Sequence, residues 1–154
     1  MVYGPGDRQR RFAVFTQPFS IGARSLELPI EWTRWTTTYG YVDNVGAAVA
    51  LASAADRSTK QIYNVGEETP VDHSVWAHRF AVAANWRGEI ALVDDAGSPL
   101  AAHFADLDCT FPLIADTSKV RSQLGFRETV SLEEAVQRTY EHDLRTGWPG
   151  QARP

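Results

Sequence analysis

The chain has 154 residues, 44% of them hydrophobic, which is the size of one domain with one core. A formal net charge of −4 argues against sequence-independent binding to nucleic acid, because such binding needs a basic surface that replaces counterions on phosphates. The single cysteine, Cys109, excludes an intrachain disulfide and a thiolate-rich zinc site. No apolar run is long enough to cross a bilayer and the first residues do not resemble a signal peptide, so we expect a cytoplasmic protein without membrane contact.

The first thirty residues predict loops and one short strand. Tyr3-Gly-Pro-Gly-Asp7 is a turn by its glycine and proline content, although almost nothing precedes it to form the strand that such a loop normally leaves. A basic cluster follows, formed by Arg8, Arg10 and Arg11. It can meet a substrate phosphate, but a solvated loop is the more common setting for surface arginines. Residues 26–28 can form a short strand.

A strand that leads directly into a helix is predicted between residues 34 and 52. Aromatic and β-branched side chains at alternate positions favour a strand with one buried face: Trp35, Thr37, Tyr39 and Tyr41. Apolar side chains then recur at helical spacing: Val45, Ala48, Val49 and Ala52. Asp43 lies at the change of period, where its carboxylate can accept hydrogen bonds from the first free N–H groups. We therefore expect Asp43 to be the N-cap of this helix.

The second half of the chain predicts two more strands and three more helices. The strands are residues 61–65 and 89–93, and residues 94–108 form a loop. One helix begins at Asp72, with Val71 packed on Trp76 as a hydrophobic staple; Phe80 and Ala83 or Ala84 continue its buried face. Residues 116–118 cap a short helix that ends at Gly125. In the last helix Ser131 and Glu134 form a capping box, and the apolar stripe is Leu132, Ala135, Val136, Thr139 and Tyr140.

Five phrases of the chain resemble, in the same order, phrases of the NAD-dependent epimerase/dehydratase family, the extended short-chain dehydrogenase/reductases. They are Val2-Tyr-Gly-Pro-Gly-Asp7, Tyr41-Val-Asp-Asn-Val45, Ile62-Tyr-Asn-Val-Gly66, Ala115-Asp-Thr-Ser-Lys-Val-Arg121 with Leu124-Gly-Phe126, and Val130-Ser-Leu-Glu-Glu134. The resemblance covers nearly the whole chain but only the C-terminal half of the family. It implies an α/β fold, the C-terminal part of an extended Rossmann-like protein that lacks most of the nucleotide-binding sheet. Residues 1–146 would form this substrate-binding portion and residues 147–154 a disordered tail.

The chain lacks both motifs on which the family's cofactor chemistry depends. A dinucleotide needs a glycine-rich turn between a strand and a helix, so that backbone N–H groups can approach the pyrophosphate. The family's catalytic pair is a tyrosine with a lysine four residues later, and none of the five tyrosines here has such a lysine. We therefore expect no catalytic residue, no cofactor-binding residue and no bound cofactor in this chain. NAD or NADP is expected only in the complete relative.

Substrate-side candidates come from the family phrases near the cleft and from nearby cations: Tyr3, Pro5, Arg8, Arg34, Tyr41 and Asn44. For Tyr41 a core position, and for Asn44 a place in the first helical turn, are the alternatives. Many nucleotide-sugar-binding members carry an arginine where this chain has Thr36-Thr-Thr38, so the substrate stays open. No metal site is expected, because the histidines do not form a ligand pattern: His73, His78, His103 and His142.

Two functional hypotheses follow. In the first, the resemblance implies part of an enzyme that acts on a sugar or nucleotide sugar by hydride transfer, inactive alone and completed by a nucleotide-binding half in cis or in trans. In the second, the chain is a stand-alone ligand-binding or protein-interaction module derived from that family. A homo-oligomer is compatible with both hypotheses.

Overall fold

The computed structural model describes residues 1–56, 60–94, 100 and 107–148, and this part of the chain is a mixed α/β fold. Its strands are β1 (Val2–Tyr3), β2 (Ser25–Pro29), β3 (Thr36–Thr37), β4 (Gly40–Tyr41), β5 (Val71–Asp72) and β6 (Glu89–Val93). Its helices are α1 (Ala13–Ser20), α2 (Ile30–Arg34), α3 (Val42–Ala54), α4 (His73–Ala83), α5 (Ser118–Leu124) and α6 (Leu132–Thr146). The predicted loop at 94–108 lies mostly outside the described residues, as does His103.

Three two-stranded sheets replace a single large sheet in the described part of the chain. β1 pairs with β4 and β2 with β6, both in parallel, while β3 pairs with β5 in antiparallel orientation. The β2–β6 pair is the longest and runs from Ser25 opposite Glu89 to Pro29 opposite Val93. Both of its strands are predicted by the sequence, and the structure confirms them.

An aromatic core joins α1, α4 and the short strands. Trp76 and Phe80 of α4 are buried, as predicted, and the ring of Phe12 lies 4.8 Å from the ring centroid of each. Tyr3 meets Trp76 edge-on at 5.2 Å. The α4 helix begins as predicted, because the Asp72 side chain accepts a hydrogen bond from the backbone N–H of Val75 at 3.1 Å. Burying these rings contributes about 2–3 kcal/mol each, so the cluster anchors the fold.

The strand-to-helix joint forms, but Asp43 does not cap its helix. The α3 helix begins two residues earlier than predicted, so that Tyr41 is the N-cap and no side chain caps the first turn. Asp43 therefore lies inside the first turn, where its carboxylate is 3.4 Å from Arg138. The preceding strand is also shorter than predicted. It breaks into β3 and β4. Residues 37–41 are all buried, so both faces of this segment are covered, not one as predicted.

Two apolar surfaces that the sequence predicts as buried or paired are exposed in the described residues. On α3 the predicted stripe holds only at Ala48, which is buried, whereas Val49 is 61% exposed. Residues 61–65 form no strand, because none of the described strands pairs with them, and Ile62 is 84% exposed.

The two C-terminal helices follow their predicted signals closely. The α5 helix ends at Gly125, which adopts the left-handed conformation with φ of 68°. Ser131 caps α6 by accepting a hydrogen bond from the N–H of Glu134, but the reciprocal half of the predicted capping box is replaced by an ion pair between Glu134 and Arg138. The predicted tail, residues 147–154, includes one described residue that packs on the core. Trp148 is buried, and its indole N–H donates to the Thr16 hydroxyl at 3.1 Å.

Candidate functional site

The family-derived candidates divide into core residues and surface residues. Tyr3 and Tyr41 are both buried, and their ring centroids lie 5.5 Å apart. The Tyr3 hydroxyl donates to the Glu67 carboxylate at 3.5 Å, and burial, followed by the charge of Glu67, raises the pKa of Tyr3 far above its usual value. The Tyr3 hydroxyl is therefore neutral, and a protein carboxylate accepts its hydrogen bond. The alternative of a core aromatic is therefore the better description of Tyr41 and of Tyr3.

Asn44 is a structural clamp between α3 and the segment that precedes α6. Its Oδ1 accepts hydrogen bonds from the backbone N–H groups of Thr129 at 3.0 Å and Val130 at 2.9 Å, and its Nδ2 donates to the Val130 carbonyl at 2.9 Å. The side chain is buried and both of its polar atoms bind backbone groups, so its role in the structure is to hold the two segments together.

The predicted basic cluster separates into paired and exposed arginines. Arg11 binds Asp7 at 2.6 Å and donates to the Val2 carbonyl at 2.7 Å, while Arg10 lies 3.4 Å from the buried Asp143. Arg8, which precedes them in the chain, is exposed. Arg34, at the end of α2, is also exposed. The half-buried Pro5 lies in the turn after β1. The structure therefore does not assemble a convergent arginine clamp from the predicted residues.

A buried imidazole that sequence reasoning treated only as a poor metal ligand organises the polar centre of the core. The Nδ1 of His73 lies 2.8 Å from the Trp35 carbonyl and its Nε2 lies 3.1 Å from the Tyr39 hydroxyl. Since a carbonyl only accepts, Nδ1 carries the proton and Nε2 accepts from Tyr39. Burial lowers the pKa of His73 to about 4. The only sequence feature that could have indicated this buried position is that His73 directly follows the helix cap Asp72.

A second polar cluster lies where residues 66–67 meet α5. Arg121 donates to the Gly66 carbonyl at 3.0 Å and to the Glu128 carboxylate, which it contacts through two nitrogens. Glu67 is buried beside them, and its burial, followed by the charge of Glu128, raises the pKa of its carboxyl. The hydrogen bond from Arg121 to Gly66 joins α5 to residues 66–67. The Arg121–Glu128 pairing is bidentate and leaves no charge for a ligand.

Gly4 and Gly66 lie in family phrases and are packed closely against protein. A side chain at Gly4 would meet the ring of Tyr41 and the side chain of Val42 at 2.8 Å. At Gly66 it would meet the Thr38 methyl group at 2.5 Å and the Tyr39 carbonyl at 2.9 Å. Both glycines are therefore needed for packing against protein and do not open a path to a phosphate. The packing at Gly4 and Gly66 leaves no room for a pyrophosphate beside these two glycines.

A cleft of about 540 Å³ lies between α1, the preceding loop and one edge of β2. Its walls include the apolar side chains of Val14 and Leu26 and the polar side chains of Arg10, Gln17 and Glu27. Residues 25–27 of β2 line the cleft, and residues of its partner β6 do not. Beyond the short strand and the arginines, no sequence pattern predicts this cleft.

Neither a metal cluster nor a membrane span is found in the described ranges. No group of three His, Cys, Asp or Glu side chains there can hold a metal ion. No helix in the same residues is long and apolar enough to cross a bilayer.

Several solved structures share this fold. UDP-glucose 4-epimerase from Thermotoga maritima, solved with UDP-glucose, aligns with a TM-score of 0.69 and 22% identity over 94% of this chain and 44% of its own. UDP-glucuronic acid 4-epimerase from Bacillus cereus, solved with NAD, aligns with a TM-score of 0.68 and 17% identity over 92% and 41%. RMD from Pseudomonas aeruginosa, solved with NADPH, aligns with a TM-score of 0.69 and 14% identity over 92% and 44%. No protein-family model and no curated protein matches the chain.

The structural likeness confirms the predicted resemblance at the level of the fold. Nearly all of this chain aligns, and it spans less than half the length of the three structures above. The fold is thus that of part of an extended Rossmann-like short-chain dehydrogenase/reductase, as the family phrases implied.

Proposed function

We propose that the chain is the C-terminal, substrate-binding portion of an NAD(P)-dependent epimerase/dehydratase-like enzyme. The observation that carries this proposal is the alignment of more than nine-tenths of the chain with about four-tenths of sugar-epimerase structures. The substrate class that it supports is a sugar or a nucleotide sugar. The fold is shared with enzymes that were solved with NAD, NADPH and a nucleotide sugar.

In this proposal a nucleotide-binding portion, in cis or as a separate chain, supplies the cofactor site and the Tyr-x-x-x-Lys pair. The cofactor, when bound there, accepts and returns a hydride. The residues of this chain contribute binding and position only, because no tyrosine here has the partner that would lower its pKa for proton exchange. The chain alone is therefore inactive.

An exposed apolar edge supports the existence of such a partner portion. We define the apolar edge as Met1, Val2, Ile62, Leu113 and Ile114, which are between 40% and 84% exposed. Hydrogen bonds place Met1 and Leu113 on either side of Thr38. The Met1 amino group donates to the Thr38 carbonyl at 3.4 Å, and the Thr38 N–H donates to the Leu113 carbonyl at 3.0 Å.

Ile62 joins this edge through the segment next to Ile114. The side-chain amide of Asn64 donates to the Asp116 carbonyl at 3.2 Å, and Lys119 donates to the Ile62 carbonyl at 3.1 Å. Contiguous exposed apolar side chains of this kind mark interaction surfaces in soluble proteins. Residues 61–65 also have no strand partner in the described part of the chain, and a sheet supplied by the nucleotide-binding portion would provide one.

The cleft beside β2 supports a second candidate function, that of a stand-alone ligand-binding module. It is lined by this chain without any contribution from a partner, and its volume lies in the range of small-molecule sites. A stand-alone module that binds a polar ligand there would use the same geometry. The two functions differ in whether the apolar edge is covered by another portion of an enzyme.

Translation of the DNA that precedes the coding sequence, in all three frames, tests the proposal. We expect a strand, a Gly-x-x-Gly-x-x-Gly turn and a helix, followed later by a Tyr-x-x-x-Lys phrase. An unrelated upstream gene, together with a monomer that unfolds cooperatively and binds no hydrophobic dye, would replace the enzyme-portion proposal with the stand-alone module.

A further inference from the structure

A groove of about 270 Å³ lies between the helices α4 and α6 and shares no lining residue with the cleft beside β2. We call it the α4–α6 groove. Side chains three and four residues apart lie on the same face of a helix, and the residues that each helix contributes have this spacing. The α4 wall is Arg79, Val82 and Ala83, and the α6 wall is Glu133, Val136 and Gln137.

Arg79 brings an unpaired cation to the α4 wall. The Nη1 atom of its guanidinium is buried and has no hydrogen-bond partner among the described residues. The ion pairs formed in the same part of the chain do not include Arg79. A buried donor that has left water without finding an acceptor is costly, and a carboxylate supplies the two oxygens that match a guanidinium. The α4 wall therefore suits a ligand carboxylate.

The α6 wall offers acceptors instead. Glu133 borders the same groove as Arg79, yet within the described ranges it forms no ion pair with Arg79 or with any other cation. Gln137 donates through its Nε2 to the Glu141 carboxylate at 2.9 Å, so its Oε1 remains an acceptor. Opposite charges thus face the groove from its two walls without neutralising each other.

We infer that the α4–α6 groove binds a free α-amino acid with a branched apolar side chain. The ligand carboxylate accepts hydrogen bonds from Arg79, and the ligand ammonium donates to Glu133 and to the Oε1 of Gln137. A ligand with only one of these charges leaves the opposite wall unpaired. The inference goes beyond the proposed function and does not depend on it.

The apolar part of the groove accommodates the side chain of such a ligand. Val82 is 81% exposed, and a branched aliphatic group packed on it would remove this surface from water. Ala83 and Val136 complete the apolar lining. The ring of His78 also borders the groove, and its Nδ1 donates to the Ser74 carbonyl at 2.7 Å. The volume is below the roughly 300–1,000 Å³ of sites for drug-sized molecules, which agrees with a small ligand.

Leucine, 4-methylpentanoate and 3-methylbutylamine provide matched probes. The second is leucine without its ammonium group, and the third is leucine without its carboxylate. Each is titrated into the full chain while backbone amide NMR shifts are recorded. We expect saturable shifts at residues 78–83 and 133–137, and a dissociation constant for leucine at least fivefold lower than for either of the other two probes.

Two variants assign the ends of the ligand. Arg79→Gln should weaken leucine binding at least tenfold, whereas Arg87→Gln, the same change at an exposed arginine outside the groove, should leave it unchanged. Glu133→Gln should reduce the preference for leucine over 4-methylpentanoate to less than twofold. Glu89→Gln, on β6 and outside the groove, should keep that preference. Amide spectra of the free variants show whether each is folded, and the probe comparison in the unaltered chain stands without them.

Three results would overturn the inference. Equal binding of leucine and 4-methylpentanoate to the unaltered chain would show that no ammonium is recognised. Equal weakening of leucine binding in Arg79→Gln and Arg87→Gln would assign the affinity to net charge. Absence of saturable shifts at residues 78–83 and 133–137 would show that the groove binds no amino acid, while the upstream-DNA test of the enzyme-portion proposal would be unaffected.

Discussion

Acidification should destabilise the fold through His73, because its buried imidazole is kept neutral between Trp35 and Tyr39. Its pKa falls from 6.5 to about 4 on folding. A group whose pKa is depressed in the folded state binds its proton preferentially in the unfolded state. The stability that depends on the neutral form is therefore complete above pH 6.5 and is lost as the pH falls towards 4. For these two values, linkage gives a loss of about 2 kcal/mol between pH 7 and pH 5.

Two buried carboxyls oppose this loss and have to be separated from it. Burial raises the pKa of Glu67 and of Asp143, so each favours the folded state as the pH falls. A comparison with His73→Gln cancels their contribution. Gln keeps a donor and an acceptor but does not titrate, so we expect the difference in unfolding free energy between pH 7 and pH 5 to be about 2 kcal/mol larger in the unaltered chain than in the variant.

Urea denaturation of both proteins at the two pH values provides the measurement. NMR titration of the His73 ring in the unaltered chain provides an independent one, which holds even where the variant folds poorly. An equal pH dependence in both proteins would refute the reasoning. A His73 ring that titrates near pH 6.5 in the folded chain would do the same.

Two further predictions concern the helix joint and the apolar edge. Asn44→Ala should lower the free energy of unfolding by about 2–4 kcal/mol, because it leaves the buried N–H of Val130 without its acceptor. Asp43→Ala should lower it by about 0.5 kcal/mol or less, since the ion pair of Asp43 with Arg138 is exposed. Urea denaturation that ranks the two variants in the opposite order would restore Asp43 as the cap. Ile62→Asp should reduce hydrophobic-dye binding and concentration-dependent association without lowering the melting temperature, because Ile62 is 84% exposed. The same change at the buried Ala48 should unfold the chain. Unchanged dye binding by Ile62→Asp would contradict the assignment of the apolar edge.

The sequence predicted those elements whose signals are local. The caps at Asp72 and Ser131, the left-handed stop at Gly125 and the strands around Leu26 and Ile90 depend on neighbours within a few residues, and all of them form. The prediction for Asp43 was wrong because the helix begins at Val42, and a shift of two residues moves the predicted cap into the first turn.

The elements that failed depend on partners far along the chain. Residues 61–65 have the composition of a strand, but a strand needs a neighbour, and the described chain offers none. The same reason explains why Val49 is exposed on a helix face with an apolar pattern. The polar contacts of Asn44 with residues 129–130 and of Trp148 with Thr16 span more than 80 residues, which no periodicity indicates. The candidate cleft likewise arises from three segments that only the fold brings together.

Calorimetric titration of the purified chain with NAD and NADP, in both redox states, tests the central claim most directly. The account predicts no saturable heat in the micromolar range, because Gly4 and Gly66 are packed against protein and the sequence holds no other glycine-rich turn after a strand. Stoichiometric binding of either cofactor at micromolar affinity would contradict the claim that another portion of the enzyme supplies the cofactor site.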